Sequence, residues 1–173
     1  MTPNTVSYPT FNLNGKVALV TGSSRGLGSW MALGLAHAGA DVVVTYRQAE
    51  EEGKAVSAKI RDMGRRCLLT RLDLADLASI EAMMSEISRE FGGLDILVNN
   101  AGVNRPKKAL EVTPDDFDHV TNVNLKGVYF CSQAAAKIMI PRGGGKIINL
   151  SSAAAFLVRP NITISIYAMT KAG

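Results

Sequence analysis

At 173 residues, 47% of them hydrophobic, the chain is one domain's worth of sequence with enough apolar material for a substantial core. No apolar run reaches the length of a membrane span, and the first dozen residues have neither a basic start nor an apolar centre, so no anchor or signal peptide is indicated and a cytoplasmic protein is expected. The net charge of +4 is scattered, with pairs only at Arg65-Arg66 and Lys107-Lys108, which speaks for a solvated surface and against a nucleic-acid groove.

Residues 1–12 carry Pro3, Pro9 and mostly polar side chains and read as a flexible arm ahead of one domain over residues 13–173. Lys16 to Thr21 is the first predicted strand, its unbroken Val-Ala-Leu-Val run suited to burial on both faces. A helix follows from Leu27 to Ala38, with Leu27, Met31, Leu35 and Ala38 as its apolar stripe and Gly39 as its stop. Asp41 to Tyr46 is a second strand, Ala49 to Met63 a helix, and Cys67 to Leu72 a third strand. Leu77, Ile80, Met84, Ile87 and Phe91 mark another amphipathic helix, closed by Gly92-Gly93, before a fourth strand from Leu94 to Asn99.

Thr113-Pro114-Asp115-Asp116 is a helix start, with a capping hydroxyl, proline in the first turn and acids at the positive end. One helical stretch, bent or continuous, runs from there to about Ile140; Pro141 and Gly143 to Gly145 break it before a fifth strand, Lys146 to Leu150. Strands alternating with helices of this length predict crossover units and a doubly wound, Rossmann-type parallel α/β sheet. Cys67 and Cys131 are too few for a disulfide framework or a zinc site, and His37 and His119 lack clustered partners, so reduced core cysteines and no metal are expected.

The stretch Thr21 to Gly28, Thr-Gly-Ser-Ser-Arg-Gly-Leu-Gly, lies where the first strand gives way to its helix. Such a junction aims free backbone N–H groups at one spot, where the helix dipole favours an anion and a phosphate belongs. Gly22 permits the tight turn, Gly26 lets the backbone approach a ligand, and Gly28 lets the helix pack closely on the strand. Ser24 and Leu27 belong to the same phosphate loop. In a doubly wound sheet ligands sit at the carboxyl ends of the strands. About twenty residues past the loop, where a carboxylate would accept from an NAD ribose, the sequence reads Thr45-Tyr46-Arg47 with no acid. Arg47 and Arg25 instead suit a 2′-phosphate, which favours NADP(H), with NAD(H) the alternative. Asp73, beside Leu74 after the third strand, could accept from an adenine amino group or cap a nearby helix. Asn99-Asn100-Ala101-Gly102 ends the fourth strand, where small residues leave room for a cofactor and amides bond the neighbouring loops.

Tyr167 and Lys171 are four apart and share one face of a helix. A phenol titrates near 10, and a cation within a few ångströms lowers that by about 1 to 3, making Tyr167 a usable proton donor and acceptor. Ser152, just past the fifth strand, could hydrogen-bond a substrate oxygen, and Asn124 is a helical amide that, once buried, needs partners and could hold a water.

Thr21 to Gly28, Asn99 to Gly102, Asn124, Ser152 and the Tyr167–Lys171 pair together resemble the short-chain dehydrogenase/reductase family, from about Leu13 to the last residue. The resemblance implies Tyr167 as acid/base, Lys171 on the nicotinamide ribose, Ser152 on the substrate oxygen, and Asn124 holding a relay water. Ser151 matches the family position less well than Ser152. Within that family the chain resembles 3-oxoacyl carrier-protein reductases and sugar or gluconate 5-dehydrogenases, which implies an exchange of a carbonyl and a secondary alcohol on a small molecule. Family members continue past the helix that bears Tyr167, whereas this chain ends at Ala172-Gly173. A fragment of a longer enzyme is therefore expected, with the fifth strand an open edge; the other reading is a catalytically incompetent nucleotide-binding or interaction fragment. The apolar circumference of Leu125 to Ile140 points to a homodimer or homotetramer.

Overall fold

The computed structural model describes residues 11–157 and 163–173. Of the predicted arm, residues 1–10 lie outside the described residues, and Phe11 and Asn12 are exposed and belong to no helix or strand. Strands β1 (Val17–Val20), β2 (Asp41–Tyr46), β3 (Cys67–Arg71), β4 (Ile96–Asn99) and β5 (Lys146–Asn149) pair in parallel in the order β3-β2-β1-β4-β5. Helices α1 (Gly26–His37), α2 (Glu50–Asp62), α3 (Leu77–Phe91), α4 (Pro114–Thr121), α5 (Val128–Met139) and α6 (Ser165–Ala172) flank the sheet. The chain leaves β1 toward β2 and β3 on one side, then returns to β4 and β5 on the other. Beside β1 the strand order therefore switches direction, which opens a crevice at the carboxyl ends.

Two cores follow from the alternation of side chains along buried strands. Leu19, Val43 and Leu97 project to one face and pack with Ile80, Met84 and Ile87 of α3 and Cys131 and Met139 of α5. Ala18, Val20, Val42, Val44 and Val98 project to the other and meet Ala32 and Ala36 of α1 and Ile60 of α2. The result is a three-layer Rossmann-type arrangement, helices on both faces of a parallel sheet. Burial raises the pKa of both free thiols, that of Cys131 to about 12.

The buried stripe of α1 differs from the predicted one. Gly28, Ala32 and Ala36 face the sheet, whereas Leu27 is 64% exposed. Residues without bulky side chains at i, i+4 and i+8 let the helix backbone sit close to β1; Met31 and Leu35 of the predicted stripe pack against this core from its flanks, and Leu27 turns outward. The long helical stretch is bent rather than continuous. The side chain of Thr113 accepts from Asp116 N–H and that of Asp116 from Thr113 N–H, a reciprocal cap on α4. Residues Asn122–Gly127 then form a π turn between α4 and α5. Within that turn Gly127 presses against the Leu74 carbonyl, where a side chain would have no room.

The predicted open edge is present. Among the described residues β5 is bonded to β4 alone, and Ile147 and Ile148 are 38% and 49% exposed. No helix among the described residues is long and apolar enough to cross a membrane, and no metal-type cluster of His, Cys, Asp or Glu occurs among them.

If the small residues seat α1, Ala36→Leu costs about 1–3 kcal/mol by overpacking, whereas Leu27→Ala changes stability by no more than about 0.5 kcal/mol. Urea unfolding midpoints of the two variants check this; equal losses would restore the stripe through Leu27.

Candidate active site

The β1–α1 turn is sewn to both neighbouring strands. The Thr21 amide donates to the Val98 carbonyl at 3.0 Å, and the Thr21 hydroxyl accepts the N–H groups of Asn100 and Ala101, each at 3.0 Å. Gly22 takes a left-handed conformation, φ +66°, and its N–H donates to Thr45 Oγ1 at 2.8 Å. Ser23 N–H donates to the Thr45 carbonyl at 3.1 Å, and Ser23 Oγ accepts from Thr45 N–H at 2.9 Å. These N–H groups of Gly22 and Ser23 are thus spent inside the fold and are not among the free amides expected at the junction. The amides left over are those of Ser24 and Arg25 and of the first turn of α1, Gly26 to Gly28, which have no intrahelical acceptor. The N-cap residue Arg25 makes no side-chain cap, and no acid lies in that turn, so the positive end of the helix is uncompensated.

A cavity of about 560 Å³ opens at this end of the sheet. Gly22, Ser24 and Arg25 line it from the turn, Arg47 from the end of β2, Asp73 and Leu74 from the end of β3, and Asn100, Ala101 and Gly102 from the end of β4. Gly26, Leu27 and Gly28 lie outside the lining. Gly26 (φ +58°) has open space where a side chain would begin, while a Cβ on Gly28 would strike the Gly22 carbonyl and Asn100 Nδ2. Leu27 projects to solvent, so it has only its N–H to offer. Asn100 Nδ2 donates to the carbonyls of Thr21 at 2.9 Å and Gly22 at 3.2 Å, which locks the turn from β4. Asp73 is not a helix cap: Asp76 caps α3, and Asp73 Oδ1 accepts from Ala75 N–H at 3.0 Å in a local turn.

The sequence reading passed over Thr45, Tyr46, Gln48, Glu52 and Val123, which also line the cavity. Thr45 and Tyr46 were legible as the end of a strand beside the glycine loop. Nothing in the sequence marked Val123, whose place depends on the π turn.

The second group of predicted residues gathers where α6 meets that π turn. Asn124 is buried; its Nδ2 donates to the Val103 carbonyl at 2.9 Å and Thr170 Oγ1 at 3.1 Å, and its Oδ1 accepts from Val103 N–H at 2.8 Å. Both amide hydrogens are therefore used, and one lone pair of Oδ1 remains. Thr170 Oγ1 in turn donates to the Tyr167 carbonyl at 2.9 Å, tying Asn124 to the helix of the phenol; the sequence reading missed this threonine. Lys171 Nζ donates to the Leu150 carbonyl at 2.8 Å and stands 5.9 Å from the centre of the Tyr167 ring. Partial burial lowers the pKa of Lys171. A Cβ on Gly102 would lie 3.3 Å from Asn124 Oδ1 and 3.7 Å from Lys171 Nζ, so both reach the rim of the cavity. Ser152 caps the short turn Ala153–Ala155, against which α6 packs, by accepting from Ala154 N–H at 3.2 Å. Ser151 Oγ instead donates to the Lys171 carbonyl at 2.6 Å and fastens α6 to the end of β5.

The sequence profile of the family described as short chain dehydrogenase matches residues 16–173. The chain belongs to the short-chain dehydrogenase family. It is 46% identical over 165 residues to the 2-dehydro-3-deoxy-D-gluconate 5-dehydrogenase of Escherichia coli K12, a match covering 94% of this chain and 63% of that protein. It is 40% identical over 158 residues to a 3-oxoacyl-[acyl-carrier-protein] reductase of Staphylococcus aureus, covering 91% and 63%. Among short-chain dehydrogenase structures, that of the Burkholderia cenocepacia gluconate 5-dehydrogenase in complex with NADP and tartrate superposes with a TM-score of 0.85 at 43% identity, over 94% of this chain and 63% of that one. A Sinorhizobium meliloti short-chain alcohol dehydrogenase superposes at 0.89 with 40% identity, over 95% and 64%. The chain thus spans under two thirds of the length of these short-chain dehydrogenases.

Gly28→Ala is expected to destabilise the protein by about 1–3 kcal/mol, because its neighbours are backbone and a tethered amide that cannot yield cheaply. Gly34→Ala, in the same helix with open space around it, should stabilise by about 0.5–1 kcal/mol. Thermal or urea unfolding of the pair gives the comparison, and a neutral Gly28→Ala would show that the turn is looser than its contacts imply.

Proposed function

We propose that the chain is the nucleotide-binding part of an NADP(H)-dependent oxidoreductase that interconverts a carbonyl and a secondary alcohol. The observation that carries this reading is the uncompensated positive end of α1, whose N-cap residue Arg25 lines the cavity together with Arg47. Neither guanidinium is paired with a carboxylate among the described residues, and both stand at strand ends where a nucleotide's phosphates would lie. The residues present fit such a group: glycines where a Cβ would block the turn, unspent amides at Gly26 to Gly28, and cations for a 2′-phosphate. The NADP complexes of similar proteins support the same choice over NAD(H).

When bound, the cofactor supplies or takes the hydride at the substrate carbon. Tyr167 Oη gives its proton to the substrate oxygen in the reducing direction and takes it back in the other. Lys171, held by the Leu150 carbonyl with its Nζ 5.9 Å from the centre of the phenol ring, would take the nicotinamide ribose. Ser152 Oγ donates to the substrate oxygen and orients it. Asn124, fixed by Val103 and Thr170, has one lone pair left for a water that passes protons on. Asp73 would hold the adenine amino group, and Leu74, Ala101 and Gly102 would wall the cofactor, as residues that line the cavity. The names of the similar proteins leave two substrate classes, sugar acids and 3-oxoacyl thioesters. Exposed Leu125, Tyr129 and Ile140 along the α5 stretch fit a second copy of the protein.

The open edge of β5 favours a second reading, in which this length of chain binds the nucleotide without turnover. Titration with NADPH followed by a carbonyl assay separates the two: binding with NADPH oxidation supports the first, binding alone the second.

Two variants test the roles. Tyr167→Phe should lower kcat by about 10²- to 10⁴-fold while leaving NADPH affinity in place. Arg47→Ala should weaken NADPH binding by about 10- to 100-fold with little effect on NADH. Retained turnover in the first, or equal loss for both cofactors in the second, would remove the corresponding assignment.

A further inference from the structure

Asp116 ties together three segments that the proposed chemistry needs in register. It sits in the first turn of α4, is 3% exposed, and uses both carboxylate oxygens. Oδ2 accepts from Thr113 Oγ1 at 2.7 Å, from Thr113 N–H at 3.1 Å and from Lys107 Nζ; Oδ1 accepts from Arg105 Nη1 at 3.2 Å. Capping α4 needs only the Thr113 bonds. The two cations come from the loop between β4 and α4, and helix capping does not explain them.

What Lys107 does with its backbone shows the use of that grip. Its N–H donates to the Thr163 carbonyl at 2.9 Å, and it bridges in parallel to Ile164, the residue just before α6. Tyr167 follows three residues later. A continuous path therefore runs from the Asp116 carboxylate through the Lys107 side chain and backbone to the start of the helix that carries the phenol. An eight-residue helix does not hold itself in place, so the tie just ahead of its first turn joins those at Thr170 and Lys171 in fixing where it sits.

We propose that Asp116 is a positioning residue: through Lys107 it sets the seat of α6 and with it the placement of Tyr167 beside Lys171. This rests on the reading of Tyr167 as the proton donor. The bonds from Lys107 and Thr113 hold the Asp116 carboxyl well below the usual carboxylate range and so favour its charged form. The charge matters because the Lys107 side chain is partly exposed, and only a charge-assisted bond competes well with water for its ammonium.

The test compares wild type, Asp116→Asn, Lys107→Met and the double variant, by kinetics, NADPH titration and amide hydrogen exchange. Lys107→Met leaves the Thr113–Asp116 cap intact and cuts only the path to α6. The expected result is a kcat lowered by about 10- to 100-fold in both single variants, no further loss in the double, and unchanged NADPH affinity. Exchange should quicken at Lys107 and through residues 163–171 and stay unchanged in β1 and β2. Wild-type kcat and wild-type exchange in α6 for Lys107→Met would overturn the proposal and leave Asp116 a helix cap. Should the wild type turn over no carbonyl, the functional reading fails by itself, and the exchange pattern still decides whether Asp116 seats α6.

Discussion

Thr45 holds the turn between β1 and α1 by taking the N–H groups of Gly22 and Ser23 onto its hydroxyl and carbonyl oxygens, and the rest of the site is built outward from that grip. Each such bond contributes about 0.5–1.5 kcal/mol net, but a buried donor left without a partner costs about 1–3 kcal/mol, so the alternatives to this turn are closed more than the turn itself is favoured. Thr21 makes the same kind of attachment to β4, and Asn100 returns it. The turn is thereby fixed to the strands on either side of β1, at the point where the strand order reverses. What remains unspent are the amides of Ser24 and Arg25, which line the cavity, and of the first turn of α1 beside them.

The half of the site that would carry proton transfer is secured differently. α6 is tied by the Lys171 ammonium on the Leu150 carbonyl, by Ser151 on the Lys171 carbonyl, by Thr170 to Asn124, and at its start by the Lys107 bridge. All are polar contacts at loop ends rather than strands packed beneath it. Polar ties of this sort specify position well and contribute little bulk stability, so the placement of Tyr167 is sensitive to single side chains that never touch a substrate.

The strands and the glycine turn were legible because their signals are local: apolar runs between turn residues, and glycines where φ must be positive or a Cβ has no room. The strand ends with Arg47, Asp73 and Asn100 followed from topology, since a doubly wound sheet brings its carboxyl ends together. Three features were not legible. The Gly28, Ala32 and Ala36 face of α1 competes in the sequence with a stripe of larger residues that looks more like a core. The cap of α3 at Asp76 rather than Asp73 turns on three residues of register. Thr45 and Thr170 act through hydroxyls whose partners are distant in the chain, and a threonine in a strand or a helix carries no mark of such a bond.

The β1–α1 turn as the seat of a nucleotide's phosphates is tested most directly by titrating ¹⁵N-labelled protein with NADP⁺ and following the amide resonances. The largest shifts are expected at Gly26, Leu27 and Gly28, with only small ones at Gly22 and Ser23, whose N–H groups are already bonded to Thr45. Saturation without movement of the α1 first-turn amides, or shifts centred away from the carboxyl ends of the strands, would contradict it.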